Sequence, residues 1–197
     1  MSALWSRASD EWSTPDDLYA ALDDEFHFTL DAAATADNAK SPTFLDRDRD
    51  ALVAPWSLIP THRSTLPSVW MNPPYSRVRR FMAKAAEEAR RGCTVVCLVP
   101  SRTDTKWWHE SVWDLVSHQP RPGVEIRFLR GRLKFGDGKG SAPFPSAVVV
   151  MRFPDHDNAM SYDDRQRQAR LVTWLCCRRT VYAVNPDHGC CACWGRP

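Results

Sequence analysis

The chain has 197 residues and a mass of 22.5 kDa, enough for one domain with a small appendage. Its 43% hydrophobic and 25% charged content is ordinary for a globular protein, and no apolar run approaches the roughly eighteen residues that span a bilayer. The net charge of +2 conceals an asymmetry: residues 1–60 carry 4 basic and 12 acidic side chains, and residues 61–197 carry 22 and 12. A basic section of this kind suits a polyanionic partner, or simply solvates helices.

The opening residues Met1–Arg7 lack the apolar core of a signal peptide. Seven cysteines, at 93, 97, 176, 177, 190, 191 and 193, are an odd set with two in a buried-looking strand, which argues against a secreted disulfide framework. A cytoplasmic protein, not associated with membrane, is expected.

In chain order, Thr14-Pro15-Asp16-Asp17 predicts a helix start, with Thr14 as N-cap and Pro15 in the first helical position. That helix would bury Leu18, Tyr19, Leu22 and Ala21. Phe26–Leu30 alternates with period two and predicts a strand ending at Asp31. Residues 32–66 are mostly irregular and include the charged stretch Asp46–Asp50. Val69–Met71 predicts a short strand. Val78, Phe81, Met82, Ala85 and Ala89 recur at helical spacing, predicting a helix over 77–91 that Gly92 stops. Thr94–Val99 is a continuous apolar run, as in a strand covered on both faces.

Pro100 ends that strand, and Asp104–Val116 is the next predicted helix. Strands follow at Val124–Leu129 and Ala147–Phe153, joined by the basic, glycine-rich segment Arg130–Ser146. Residues 162–177 read as helix, 180–184 as strand, and the chain ends in a cysteine-rich tail. His188, Cys190, Cys191 and Cys193 invite comparison with a zinc site, but their spacing fits no standard pair set, and a reduced tail is expected with no metal. The alternation of strands and helices predicts an α/β fold with a parallel sheet.

Between the strand at 69–71 and the helix at 77–91 stands Asn72-Pro73-Pro74-Tyr75. Two prolines can continue neither a helix nor a central strand, and Pro73 forces Asn72 into an extended conformation. The loop is therefore rigid and leaves a strand's carboxyl end, where open α/β sheets bind ligands. The Asn72 side-chain oxygen and the Pro73 carbonyl are two acceptors beside the flat face of Tyr75. That set suits a planar group bearing an NH2, either an adenine amine or a primary amide. One specified tetrapeptide arises by chance in roughly one such chain in a thousand.

These four residues match the catalytic tetrapeptide of amino-methyltransferases that use S-adenosylmethionine. More specifically, residues 10–153 resemble the phage and prophage family of DNA N6-adenine methyltransferases. The resemblance runs through Trp12–Pro15, Leu30–Ala34 with Asn38–Lys40, Asp50–Leu52 with Trp56, and the later stretches "LVPSRTDTKWWHE", "GRLKFG" and "SAPFPSAVVV". It implies a Rossmann-like methyltransferase sheet in a bacterial or phage-infected cytoplasm, while residues 154–197, outside the resemblance, read as a cysteine-rich extension of unknown role.

It further implies Asn72, Pro73, Pro74 and Tyr75 as catalytic residues. Thr14, Pro15, Asp31, Ala32, Ala33, Asp50 and Asn72 would bind S-adenosylmethionine. Arg77, Arg79, Arg80, Arg130, Arg132 and Lys134 would face DNA. Ala32–Thr35 stands where the broader methyltransferase class has a glycine-rich loop. On the residues' chemistry alone, a glutamine amide in a protein is a second substrate for Asn72–Tyr75. A non-catalytic DNA-binding module with a decayed cofactor site is a third possibility.

Overall fold

The computed structural model describes residues 13–60, 66–134 and 141–152, together with the backbone of residues 181–184. Helix α1 (Asp16–Phe26) buries Leu22 and Phe26, four residues apart on one face. Phe26 thus completes the apolar face of the helix instead of opening a strand. His27 closes the helix in the left-handed conformation (φ 51°), and its N–H donates to the Asp23 carbonyl. The expected strand is accordingly reduced to β1 (Leu30–Asp31).

β2 (Ser68–Met71), β3 (Thr94–Pro100), β6 (Val124–Leu129), β7 (Ser146–Met151) and the backbone of β8 (Val181–Val184) complete a six-stranded sheet. Its order is β1-β2-β3-β7-β6-β8. The first three strands are parallel, but the β3–β7, β7–β6 and β6–β8 pairs are antiparallel. The sheet is therefore mixed, not parallel throughout as the strand-helix alternation suggested. Among the described residues of this connection, 130–134 and 141–145, there is no helix. The two described arms pair antiparallel, with the Ala142 N–H donating to the Leu133 carbonyl at 2.8 Å, and the second arm leads into β7.

α2 (Val78–Arg90) lies between β2 and β3 in the chain, and the turn at Gly92 (φ 99°) ends it. The positive φ there demands glycine, whereas a Cβ would meet only the movable end of the exposed Leu66 side chain, at 2.5 Å. The expected helix 104–116 shortens to α3 (Lys106–Ser111), followed by a small hairpin of β4 (Trp113–Asp114) and β5 (Gln119–Pro120). The Asp114 carboxylate accepts from Val116 N–H, Ser117 N–H and Ser117 Oγ, a side-chain alternative to helical bonding that turns the chain.

The sheet is buried on both faces, as the apolar run at β3 predicted. Val95, Cys97 and Val99 pack with Phe81, Met82 and Ala85 of α2 and Trp108 of α3. Val96 and Leu98 point the other way, into a cluster with Leu22, Phe26, Phe28 and Trp70. The predicted helix at 162–177, Phe153, and the tail with His188 and Cys176, Cys177, Cys190, Cys191 and Cys193 lie outside the described residues. Cys93 and Cys97 are buried free thiols whose acidity burial suppresses.

One edge of the sheet collects the carboxyl ends of β1, β2, β3 and β6 and the start of β7. The register sets Asp31 beside Trp70, Met71 beside Cys97, and Pro100 beside Ser146.

Candidate active site

Asn72 is the first residue beyond β2 on that edge. Pro73 is buried, Pro74 is extended (φ −58°, ψ 123°), and a 3-10 turn, Tyr75–Arg77, leads into α2. The Arg77 N–H donates to the Pro74 carbonyl at 2.9 Å, so the prolines carry the chain from strand to helix without free donors of their own. Asn72 Nδ2 donates to Thr14 Oγ1 at 3.0 Å. Thr14 is therefore not the N-cap of α1. Pro15 occupies that position, no side chain caps the helix, and the Thr14 hydroxyl is turned to the sheet edge.

The loop after β1 is organised by the Asp31 carboxylate. Asp31 Oδ1 accepts from the Ala33 N–H at 3.2 Å and Oδ2 from the Lys40 N–H at 3.0 Å. Ala32 extends the parallel ladder by donating to the Trp70 carbonyl, and Thr35 N–H donates to Asn38 Oδ1 at 2.7 Å. Burial pushes the Asp31 carboxyl up to about 6, against the two backbone donors and the Lys40 charge. Helix α1 fastens the far end of this loop. The Tyr19 hydroxyl donates to the Lys40 carbonyl at 2.9 Å, and Lys40 Nζ pairs with Asp16.

A second loop forms the opposite wall. Asp46 Oδ1 accepts from the Asp48 and Arg49 N–H groups, and Asp50 Oδ1 from the Leu52 N–H. Fully buried Trp56 anchors this loop from beneath, its indole N–H donating to the Ala51 carbonyl at 2.8 Å. Glu88 on α2 is also fully buried. It pairs with Lys84 at 2.7 Å and accepts the Ser57 N–H at 3.1 Å, tying this wall to the helix that follows the Asn-Pro-Pro-Tyr turn. Burial raises the Glu88 carboxyl, but Lys84, the Ser57 donor and Arg91 outweigh it and hold the group below its usual range.

Between the walls is a cavity of about 630 Å³, within the usual range for small-ligand sites. Thr14, Asp31, Ala32, Ala33, Asp50 and Asn72 line it, as do Pro74 and Arg77. Pro15, Pro73 and Tyr75 stand outside the lining. Asp31, Asp46 and Asp50 offer carboxylates to a cationic or hydroxyl-rich ligand, and Leu45, Ala51 and Phe81 offer an apolar surface. Thr14 and Lys40 can take an anionic group. A ligand that is cationic in one part, carboxylate-bearing in another and aromatic at one end therefore fits this donor set.

The six arginines and lysines expected to face DNA divide into two groups. Arg77 is exposed at the cavity, over the Phe81 ring at 5.7 Å. Arg79 makes a two-pronged bond to Glu110 at 2.9 and 3.0 Å, and Arg80 is exposed on the same helix. Arg130, Arg132 and Lys134 lie on the arm leaving β6, where Arg132 donates to the Ala142 carbonyl at 3.3 Å. The arm returns to the Asn-Pro-Pro-Tyr turn, because Phe144 packs edge-to-face on Tyr75 with ring centroids 5.2 Å apart.

A family model described as DNA N-6-adenine-methyltransferase (Dam) matches residues 1–170. The chain belongs to the Dam family. It is 32% identical over 153 residues to a DNA N-6-adenine-methyltransferase of Escherichia phage T1, a match covering 68% of this chain and 61% of the relative. It is 30% identical over 102 residues to a protein of the same description from Haemophilus phage HP1, covering 50% of this chain and 54% of the relative. The chain thus spans less than two thirds of either relative's length.

Several residues of this Dam-family cavity escaped the motif-based reading: Asn38, Lys40, Arg47 and Phe81 all line it. Asn38 and Lys40 lay inside a stretch that already resembled the family, so a signal existed without a role. Phe144 likewise sat within "SAPFPSAVVV", with no local pattern to indicate that its ring would meet Tyr75. Among the described residues, no group of histidine, cysteine or carboxylate side chains has the arrangement of a metal site, and no helix is long and apolar enough to cross a membrane.

Proposed function

We propose that this chain is a site-specific DNA N6-adenine methyltransferase on a Rossmann-like sheet, using S-adenosylmethionine as methyl donor. The methyltransferase domain is assigned to residues 10–153, with 154–197 as an extension. The observation that carries this is Asn72, held by Thr14 at the mouth of a cavity whose walls present Asp31 and Asp50. Family membership supports adenine in DNA over an amide in a protein, and the intact Asn72–Tyr75 turn supports catalysis over a decayed site.

Asp31, Ala32, Ala33, Asp50 and Thr14 would hold the cofactor, with Pro15 supporting Thr14 from outside the cavity. When bound, S-adenosylmethionine supplies an activated methyl group on a sulfonium that leaves without a general acid. The chain's own part is to prepare the nucleophile. An adenine amine is weakly nucleophilic because its lone pair is delocalised into the ring. Asn72 Oδ1 and the Pro73 carbonyl accept its two hydrogens, favouring a pyramidal nitrogen with a localised lone pair. Pro73 and Pro74 keep these acceptors fixed, so positioning and electrostatics do the catalytic work. The base must leave the duplex to reach this turn, and Tyr75 supplies a face on which it stacks. Arg77, Arg79, Arg80, Arg130, Arg132 and Lys134 flank the turn as phosphate contacts.

The test is Asn72→Ala, assayed for labelled methyl transfer to DNA and to protein acceptors alongside calorimetric cofactor binding. Transfer to DNA is expected to vanish while cofactor affinity is largely kept. Near-normal DNA methylation by the folded variant would falsify the assignment, and methylation of protein instead of DNA by the wild type would redirect it to an amide.

A further inference from the structure

Resting on the methyltransferase reading, we infer that Thr14 is a positioning residue that sets the flip of the Asn72 amide and links it to the occupancy of the cavity. An asparagine amide has two nearly isosteric ends with opposite chemistry, a carbonyl that accepts and an NH2 that donates. Only the flip presenting the carbonyl can accept a substrate amine hydrogen. The other presents a donor to a donor.

In the fold, Asn72 Nδ2 is taken by Thr14 Oγ1 at 3.0 Å, across 58 residues of sequence. Thr14 is 6% exposed and lines the cavity beside Asn72. Its hydroxyl is also not engaged in capping α1, the use its sequence context predicts.

A hydroxyl can accept and donate at once, and this gives the link. While Oγ1 accepts from Asn72, the hydroxyl hydrogen remains to be donated into the cavity. An acceptor there, such as the carboxylate of a bound amino-acid moiety, fixes the hydroxyl in that direction and strengthens its acceptance from Nδ2. Without such an acceptor the hydroxyl hydrogen has no fixed direction, and the hold of Oγ1 on Nδ2 is weaker. Cofactor binding thereby readies the catalytic amide before substrate arrives.

The experiment compares wild type, Thr14→Val and Thr14→Ser. Thr14→Val keeps the shape and removes the hydroxyl, and is expected to lower kcat by about a hundredfold, the scale of a misplaced catalytic group. Calorimetric affinity for S-adenosylhomocysteine should change only severalfold. Thr14→Ser should restore most of kcat. Independently of activity, the Asn72 side-chain amide resonance in a 15N-labelled protein should shift on adding S-adenosylhomocysteine in wild type and Thr14→Ser, but not in Thr14→Val.

A kcat within threefold of wild type for Thr14→Val, or the same amide shift in all three proteins, overturns the inference. If the valine variant does not fold, Thr14→Ala makes the same comparison. If the wild type transfers no methyl group to DNA, the proposed function fails and the amide shift alone decides the role of Thr14.

Discussion

The Lys40 backbone N–H donates to Asp31 Oδ2 at 3.0 Å, nine positions along the chain, closing the loop on the carboxylate that starts it. Asp31 is 3% exposed, and burial pushes its carboxyl up to about 6 despite this bond, the Ala33 donor and the charge of Lys40.

The sign of the pH effect follows. The ordinary value of such a carboxyl is 3.8. Folding therefore raises it, and the folded chain holds a proton through a window the unfolded chain does not. The Asp31 contribution to stability is complete below 3.8 and is lost as pH rises through about 6. Denaturant unfolding of wild type and Asp31→Asn from pH 4 to 7 should show the wild type losing up to about 3 kcal/mol relative to the variant. If Asp31 holds a cationic cofactor as proposed, binding needs the ionised carboxylate, so wild-type affinity should move oppositely and weaken below about pH 6. A flat difference in stability and a flat affinity would remove Asp31 from this role.

Tyr75 and Phe144 predict a separation of roles around one ring. The Tyr75 hydroxyl is buried with no hydrogen-bond partner among the described residues, and burial pushes its pKa well above the usual range. Tyr75→Phe should thus be as stable as wild type or up to about 1 kcal/mol more so, because an unsatisfied hydroxyl is removed. Tyr75→Ala should weaken DNA binding by about tenfold or more through lost stacking. Cofactor affinity should barely change, since Tyr75 lies outside the cavity lining. Thermal unfolding and parallel DNA and cofactor titrations check all three. A clear destabilisation of Tyr75→Phe would mean that the hydroxyl has a partner after all.

Arg79 and Glu110 form a two-pronged pair with side chains 61% and 39% exposed. Such exposed pairs contribute about 0–1 kcal/mol, little enough for a phosphate to displace. Glu110→Gln should therefore release Arg79, tighten DNA binding, and steepen the dependence of log affinity on log salt by about one unit. Titrations at several salt concentrations measure this. An unchanged slope would show that Arg79 does not reach phosphate.

Much of the architecture was legible because it depends on neighbours in sequence. Helical spacing from Val78 to Ala89 predicted 77–91 against an observed Val78–Arg90, and the apolar run after Gly92 matched β3. Asn72-Pro73-Pro74-Tyr75 could be recognised as a rigid site because proline geometry is local. The misreadings share a different origin. Phe26 looked like the start of a strand until the α1 face claimed it, and residues 112–116 looked helical until Asp114 gathered the turn.

The sequence by itself determined the helix over Val78–Arg90 and the central strands, where the Asn-Pro-Pro-Tyr turn lies, and which family the motifs belong to. All of these follow from short-range periodicity and backbone restriction. Tertiary structure alone decided that β7 runs against β3, that Thr14 serves Asn72 instead of capping its own helix, and that Phe144 meets Tyr75. Those relationships join residues tens of positions apart. A hydroxyl's or a ring's partner is chosen by packing, and no local pattern encodes that choice.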